Sequence, residues 1–342
     1  MGSHKKKSGL PAEAYRETIN KHWDEAVCMH PSASPSICDK IISAHTIQRS
    51  GLLERIISLD NHVLTFYKSE GLEPIRVGWR RASTIKGFCG IHDKSTFNPI
   101  EDHPFTGTPE QFFLIGYRAL CHEIYQKRGA LRASPEIIKQ AKTDSGLTEE
   151  EREKRLHLIE VQDLGYQKGL EHFLQLKTKM DKQLLTKDYS GWNNWTVEFE
   201  GDISVVSTGA ISPNVDLDGN VLQELHDSNS EQQSFLFGMI PTDKGGIIVF
   251  IWPKEWKVPE QFLRSLSQNS SEHLLEFIVQ VFFAYIENTY FSESWWNSLI
   301  LLVQNHLRNL AIIPNAYYTP IGLLKIKFMP WKLIRSEFKN NE

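Results

Sequence analysis

Long hydrophobic runs are absent from this 342-residue chain. Leu274–Ile286 is interrupted by Glu276 and Gln280, and Leu299–Val303 is short. Neither approaches the roughly 20 apolar residues that a membrane-spanning helix needs. No apolar stretch follows Lys5-Lys6-Lys7, so a secretory signal is not expected and the chain reads as cytoplasmic. Cysteine is scarce, with four residues at Cys28, Cys38, Cys89 and Cys121. In a reducing compartment these stay as thiols, which excludes a disulfide-stapled fold and leaves metal binding as the use for clustered cysteines. There is no phosphate-cradling G-x-x-x-x-G-K-[ST] loop and no G-x-S-x-G nucleophile elbow. Internal repeats and low-complexity tracts are also missing. At 40% hydrophobic and 23% charged residues the composition is that of ordinary globular protein, which excludes wholesale disorder.

Charge of one sign is lacking too. The formal net charge is −4, but it is unevenly placed. Residues 1–108 carry 14 Lys and Arg against 12 Asp and Glu, whereas residues 191–342 carry 10 against 17. A grip on a phosphate backbone is therefore expected in the N-terminal part, if anywhere.

Periodicity sketches three regions of an α+β protein. Tyr15, Ile19, Trp23 and Val27 recur at helical spacing within 11–27. Ile41–Ile47 is β-prone, 48–58 reads as a helix, and His62–Tyr67 and Ala82–Phe88 read as strands. Thr108-Pro109-Glu110 opens a helix expected to reach about Arg128. Residues 147–187 carry a long helical pattern behind an N-cap and three glutamates. Beyond Ser190-Gly191 the character turns to β, with strands expected at Trp195–Glu200, Ile203–Thr208, Gln233–Ile240 and Gly246–Trp252. Helices are expected at 259–266, 271–290 and 294–310. The organisation that follows is a metal-binding module over 11–108, a helical connector over 109–189 and an α+β domain of unassigned role over 190–342.

The chemistry concentrates in Cys28-Met29-His30, Cys38, His45 and the run Phe88-Cys89-Gly90-Ile91-His92-Asp93. Zinc takes four tetrahedral nitrogen or sulfur ligands, commonly as two short-range pairs. Cys89-x2-His92 is one such pair. Cys28 and Cys38 supply the other across a Pro- and Ser-rich loop, with His30 a rival to Cys28. His45 is open to three readings: a fourth zinc ligand, a buried structural histidine, or a catalytic base. Asp93 is either a helix N-cap or a metal-binding carboxylate.

The order Cys28…Cys38, Ala44-His45-Thr46-Ile47, Cys89-x2-His92-Asp93 resembles the HNH-type nucleases of the ββα-metal, treble-clef class. The resemblance covers about a fifth of the chain. It implies that a structural Zn²⁺ sits on Cys28, Cys38, Cys89 and His92. It further implies that His45 is the general base and that Asp93 stands where the family often has a metal-binding histidine, holding Mg²⁺ or Mn²⁺. Asn61 lies in the interval where the family's asparagine is sought. The runs Ala44–Ser50 and Gly87–Asp93 also resemble segments of bacterial proteins to which no activity is attached.

Arg49, Arg80, Arg81 and Lys86 surround this module with Trp79 among them, a pattern that suits contact with DNA or RNA. Asp216-Leu217-Asp218-Gly219-Asn220 fails the spacing of a calcium loop and reads as a turn. Cys121 reads as core, and His122-Glu123 as a solvated helix face. Trp295-Trp296 fills a core or covers a protein partner. Two functions result. One is a metal-dependent nuclease or nucleic-acid-binding effector of the kind used in antiviral defence. The other is a non-enzymatic, zinc-stabilised interaction or sensor protein whose C-terminal domain does the binding.

Overall fold

A computed structural model describes residues 21–67, 73–225, 231–268, 272–312 and 320–339. The expected turns of helix at Tyr15 and Ile19 lie outside them. The fold is mixed α and β, 44% helical and 21% strand. In chain order come β1 (Ile41–His45), β2 (His62–Thr65), β3 (Ile75–Gly78), β4 (Thr84–Cys89) and α1 (Gly90–Glu101). Two long helices follow, α2 (Pro109–Thr143) and α3 (Glu149–Thr186), and then β5 (Trp192–Glu200), β6 (Val205–Ser207), β7 (Gly209–Ile211), β8 (Phe235–Pro241) and β9 (Gly245–Pro253). The chain continues through α4 (Val258–Gln268), α5 (Leu274–Tyr285), β10 (Thr289–Phe291), α6 (Glu293–Ser298), α7 (Leu301–Ile312) and β11 (Lys332–Lys339). None of the helices described is long and apolar enough to cross a membrane. Two compact units divide the chain. The first comprises the residues up to Ser43, Ile85–His92 and Cys121–Lys182, and the second Ala44–Thr84, Asp93–Leu120 and Gln183–Glu342.

Several elements end where local chemistry dictates. The hydroxyl of Thr108 accepts from the Gln111 amide at 3.2 Å, and the Gln111 side-chain oxygen accepts from the amides of Thr106 and Gly107. At α3, Thr148 and Glu151 cap each other reciprocally, the Glu151 carboxylate accepting from the Thr148 amide at 2.8 Å. The first of these helices runs past Arg128 and through Pro135 to Thr143. Pro135 removes one backbone bond; burial of Ala130, Ala133 and Ala141 offsets it. The helix expected over 48–58 shrinks to a single 3-10 turn, Leu53–Ile56. Gly51, at φ +93°, lies in the left-handed region and stops a helix from running through it.

The first unit packs helix on helix. Ile159, Phe173, Leu176 and Met180 of α3 are buried, as are Cys121, Ile124 and Tyr125 of α2. His122 is buried as well and Glu123 largely so, its side chain 16% exposed and ion-paired to Lys127 at 3.3 Å, so they form no solvated face. His172 is also buried, and loss of solvation, aided by the positive charge of Lys127, pushes it down to about 4. A neutral histidine in the fold that titrates near 6.5 when unfolded adds stability above that pH. The contribution is lost as pH falls from about 6.5 towards 4. His172→Leu should therefore lose about 2 kcal/mol less than the parent protein between pH 7 and pH 5. Denaturant titrations at the two pH values measure this, and an equal acid loss in both proteins would refute it.

The second unit holds a five-stranded antiparallel sheet in the order β11-β5-β9-β8-β7 and a four-stranded sheet in the order β3-β2-β10-β6. β5 and β9 pair along their whole length, from Trp192 opposite Pro253 to Glu200 opposite Gly245. Near-continuous apolar sequence in β8 and β9 matches their burial on both faces. Trp195 is fully buried between the stacked rings of Phe250 and Phe338, at 4.9 and 5.0 Å, and donates to the Ser336 hydroxyl. Trp195→Ala should cost about 3–5 kcal/mol of unfolding free energy, read by denaturant titration. Trp295 and Trp296 are core residues, 5% and 4% exposed, which decides between filling a core and covering a partner.

Candidate metal centre and the histidine of the second unit

In the first unit the backbone of 27–29 lies along β4: the Val27 amide donates to the Lys86 carbonyl and the Met29 amide to that of Gly87. This places Cys28 beside Cys89. The Gly90 amide donates to the Lys40 carbonyl, which brings Cys38 to the same spot. From there the chain turns directly into α1, whose first turn carries His92.

Cys28, Cys38, Cys89 and His92 converge so that their ligand atoms all lie within 4.8 Å of one another. His92 Nδ1 is 3.5 Å from Cys28 Sγ, 3.5 Å from Cys38 Sγ and 3.2 Å from Cys89 Sγ. With Zn–S near 2.3 Å and Zn–N near 2.0 Å, the S···N edge of a zinc tetrahedron is about 3.5 Å. Three near-equal edges of that length fit a Cys3His metal centre, with His92 ligating through Nδ1. Burial pushes the Cys28 thiol up to about 11 without a metal, and a dication among these sulfurs reverses that by favouring thiolate.

The rival ligands lie elsewhere. His30 stacks on the His92 ring at 4.0 Å, and its Nδ1 accepts from the Ser32 amide. His45 is not part of the cluster. Sequence reasoning passed over two supports of the centre. The Asp39 carboxylate accepts from the Ile91 amide at 3.2 Å, capping α1 from a separate segment. Lys177 donates to the Met29 carbonyl at 2.7 Å and is held by Asp181. Asp39, next to Cys38, has the residue type of an N-cap but not its usual sequence position, so only the fold reveals it. Asp93 is then not an N-cap, since it sits inside the first turn of α1.

In the second unit His45 ends β1. Burial pushes it down to about 4, helped by the positive charges of Arg49 and Arg118 and opposed by backbone groups of Arg80 and Trp79. It is thus neutral at pH 7, and its Nε2 is buried without a hydrogen-bond partner among the described residues. Burial raises Asp93 to about 6, with Arg118 opposing and Glu101 adding to the rise. The same guanidinium therefore acts on both His45 and Asp93. Arg118 is buried, paired to Glu101 at 2.8 Å and lies 4.4 Å over the Phe97 ring. It was not singled out from sequence, because an arginine inside an amphipathic helix carries no local signal.

Arg49 and Arg80 flank the Trp79 ring, at 5.7 and 5.8 Å. Both are exposed, as is Arg81. Lys86, in the first unit, is ion-paired to Asp24 at 2.7 Å. Asn61 adopts a left-handed conformation in the turn before β2. Asp216 folds the predicted turn, accepting from the amides of Asp218 and Asn220.

No family model matches the chain, and no curated protein or solved structure matches it significantly.

Proposed function

We propose that this protein is an HNH-like, metal-dependent nuclease with a treble-clef zinc module. The zinc on Cys28, Cys38, Cys89 and His92 is structural and His45 is the base. The supporting observation is that one buried guanidinium, Arg118, acts on both Asp93 and a part-buried, neutral His45 whose Nε2 has no hydrogen-bond partner among the described residues. β1 carries His45, its partner β4 leads straight into α1, and α1 carries Asp93. That strand–strand–helix order is the one the resemblance implies.

Phosphodiester hydrolysis needs a base for the attacking water and positive charge on the scissile phosphate. Neutral His45 takes the water proton at Nε2. A pKa near 4 is low for a base, and a phosphate anion arriving beside it raises it towards neutrality. Asp93 would offer one hard carboxylate oxygen to a Mg²⁺ or Mn²⁺ ion. Such an ion supplies charge neutralisation at the phosphate. Arg49 and Arg80, with Trp79 between them, form a cationic, aromatic contact for the nucleic-acid backbone. Under this reading the protein acts in the cytoplasm as a defence effector against foreign nucleic acid, and its acidic C-terminal part meets a protein partner.

Incubating purified zinc-loaded protein with plasmid DNA and structured RNA in Mg²⁺ or Mn²⁺ tests the activity. Cleavage of either, abolished by EDTA and restored by Mg²⁺, is the expected result. Binding of nucleic acid without cleavage under every condition would leave a zinc-stabilised binding module in its place.

A further inference from the structure

The second unit also holds a cavity of about 850 Å³ built from five separated segments. They are the 3-10 turn with Arg55, the β5–β6 connection at 201–204, the β8–β9 turn at 243–244, the start of α6, and 327–330. Its volume lies in the range of pockets that enclose small molecules, about 300–1,000 Å³. None of its lining residues belongs to the His45 and Asp93 site.

The walls are tied together, so the shape is built before any ligand arrives. Arg55 donates to the Gly245 carbonyl at 3.3 Å, and the Gly201 amide to the Lys244 carbonyl at 2.8 Å. The indoles of Trp331 and Trp295 donate to the carbonyls of Asp202 and Phe328, at 2.8 and 3.2 Å. Gly201 sits at φ +128°, and a Cβ there would collide with the Pro330 carbonyl, so only glycine lets these two walls close. Ile203, Trp295 and Met329 give the floor an apolar character, and Ser292 and Ser298 add hydroxyls.

The rim is charged with both signs. Lys244, Asp202 and Asp243 are exposed and make no ion pair among the described residues, where Arg55 is bonded to a carbonyl alone. Elsewhere in the unit Arg76, Lys94, Arg118 and Arg308 each face a carboxylate. Unpaired cations around a concave opening attract a phosphate, and unpaired carboxylates there accept from the vicinal hydroxyls of a ribose. The apolar floor with its serine hydroxyls takes a base that is flat and polar at its edge.

We propose that this cavity is a binding site for a ribonucleoside phosphate. Arg55 and Lys244 hold the phosphate, Asp202 or Asp243 the ribose hydroxyls, and the floor the base. The site is independent of the nuclease reading, because binding is measured without cleavage.

Calorimetric titration of the full-length, zinc-loaded protein decides it, using AMP, GMP, CMP, UMP, their deoxy forms, ribose 5-phosphate and inorganic phosphate. Saturable binding of at least one ribonucleotide is expected, weakened about tenfold or more by Lys244→Glu. The Asp202→Asn/Asp243→Asn double variant should lose ribonucleotide affinity and leave deoxyribonucleotide affinity unchanged. Both changes lie on an exposed rim, and unchanged zinc content and melting temperature confirm folded protein. Four results would overturn the proposal: no saturation at millimolar concentration, equal affinity for inorganic phosphate, equal affinity for ribose 5-phosphate, or ribonucleotide binding that Lys244→Glu leaves intact.

Discussion

His45→Ala is expected to abolish nucleic-acid cleavage while leaving the zinc content at one per chain. Removing a general base typically costs about 10²–10⁴-fold in rate. The zinc should stay because His45 lies outside the four-residue cluster, whose members are Cys28, Cys38, Cys89 and His92. Folding should tolerate the change. The imidazole is only part-buried and its Nε2 satisfies no described group, so truncation costs the fold only the ring's bonds to the backbone at Arg80 and Trp79. Measuring cleavage and bound zinc on the same preparation separates the roles that sequence left open. Lost cleavage with zinc retained makes His45 the base. Lost zinc would make it a ligand, and retained cleavage would remove it from the mechanism. An acid limb in the rate profile should accompany the wild-type activity, since protonated His45 cannot accept a proton. That limb lies above 4 if bound phosphate raises the imidazole as argued.

Loss of the metal should have the largest effect on stability. Structural zinc contributes on the order of 10 kcal/mol or more to small metal-dependent folds. Here the ion would join three chain segments, at 28, 38 and 89–92, through four side chains. Without the ion the same segments are joined by the backbone bonds at 27–29 and Gly90, the Asp39 cap and the Lys177 bond to Met29. Cys89→Ser is expected to eliminate stoichiometric zinc and to remove protection from residues 21–43 and 85–92 in hydrogen exchange. The five-stranded sheet of the second unit should keep its protection, because its core from Trp195 to Trp331 contains none of the ligands. A strong chelator should reproduce the pattern in the unsubstituted protein. Unchanged exchange in 21–43 after full zinc removal would show that the segments pack without the ion. Zinc that survives Cys89→Ser would refute the ligand set.

The metal cluster was legible because its signal is local and chemical. Cys89-x2-His92 is a knuckle by spacing alone, and in a chain with four cysteines the other two near it have few alternative uses. Choosing among Cys28, His30 and His45 was not possible at that level. His30 is two residues from Cys28, and only the pairing of 27–29 with β4 turns one inward and stacks the other on His92. Similarly, His122 and Glu123 look like a polar helix face in the sequence, and only the fold shows His122 buried and Glu123 largely so.

Helix starts at Thr108 and Thr148 could be read because an N-cap is a contact between residues three apart. Helix ends were harder. The helix expected over 271–290 stops at Tyr285, since Ile286 is extended and Thr289–Phe291 pair with β2 and β6. The one expected over 294–310 breaks at Leu299, also extended. The three-residue strands β6, β7 and β10 are held by partners that sequence does not name.

By itself the sequence determined the α+β class, the metal-ligating chemistry around Cys89 and His92, and the helix starts. Each of these rests on residue type or on contacts only a few positions apart. Tertiary structure alone decided which thiols and imidazoles converge, that Arg118 acts on both His45 and Asp93, and that five distant segments enclose a charged cavity. Those depend on the burial and approach of residues far apart in the chain, and neither is written in any local window.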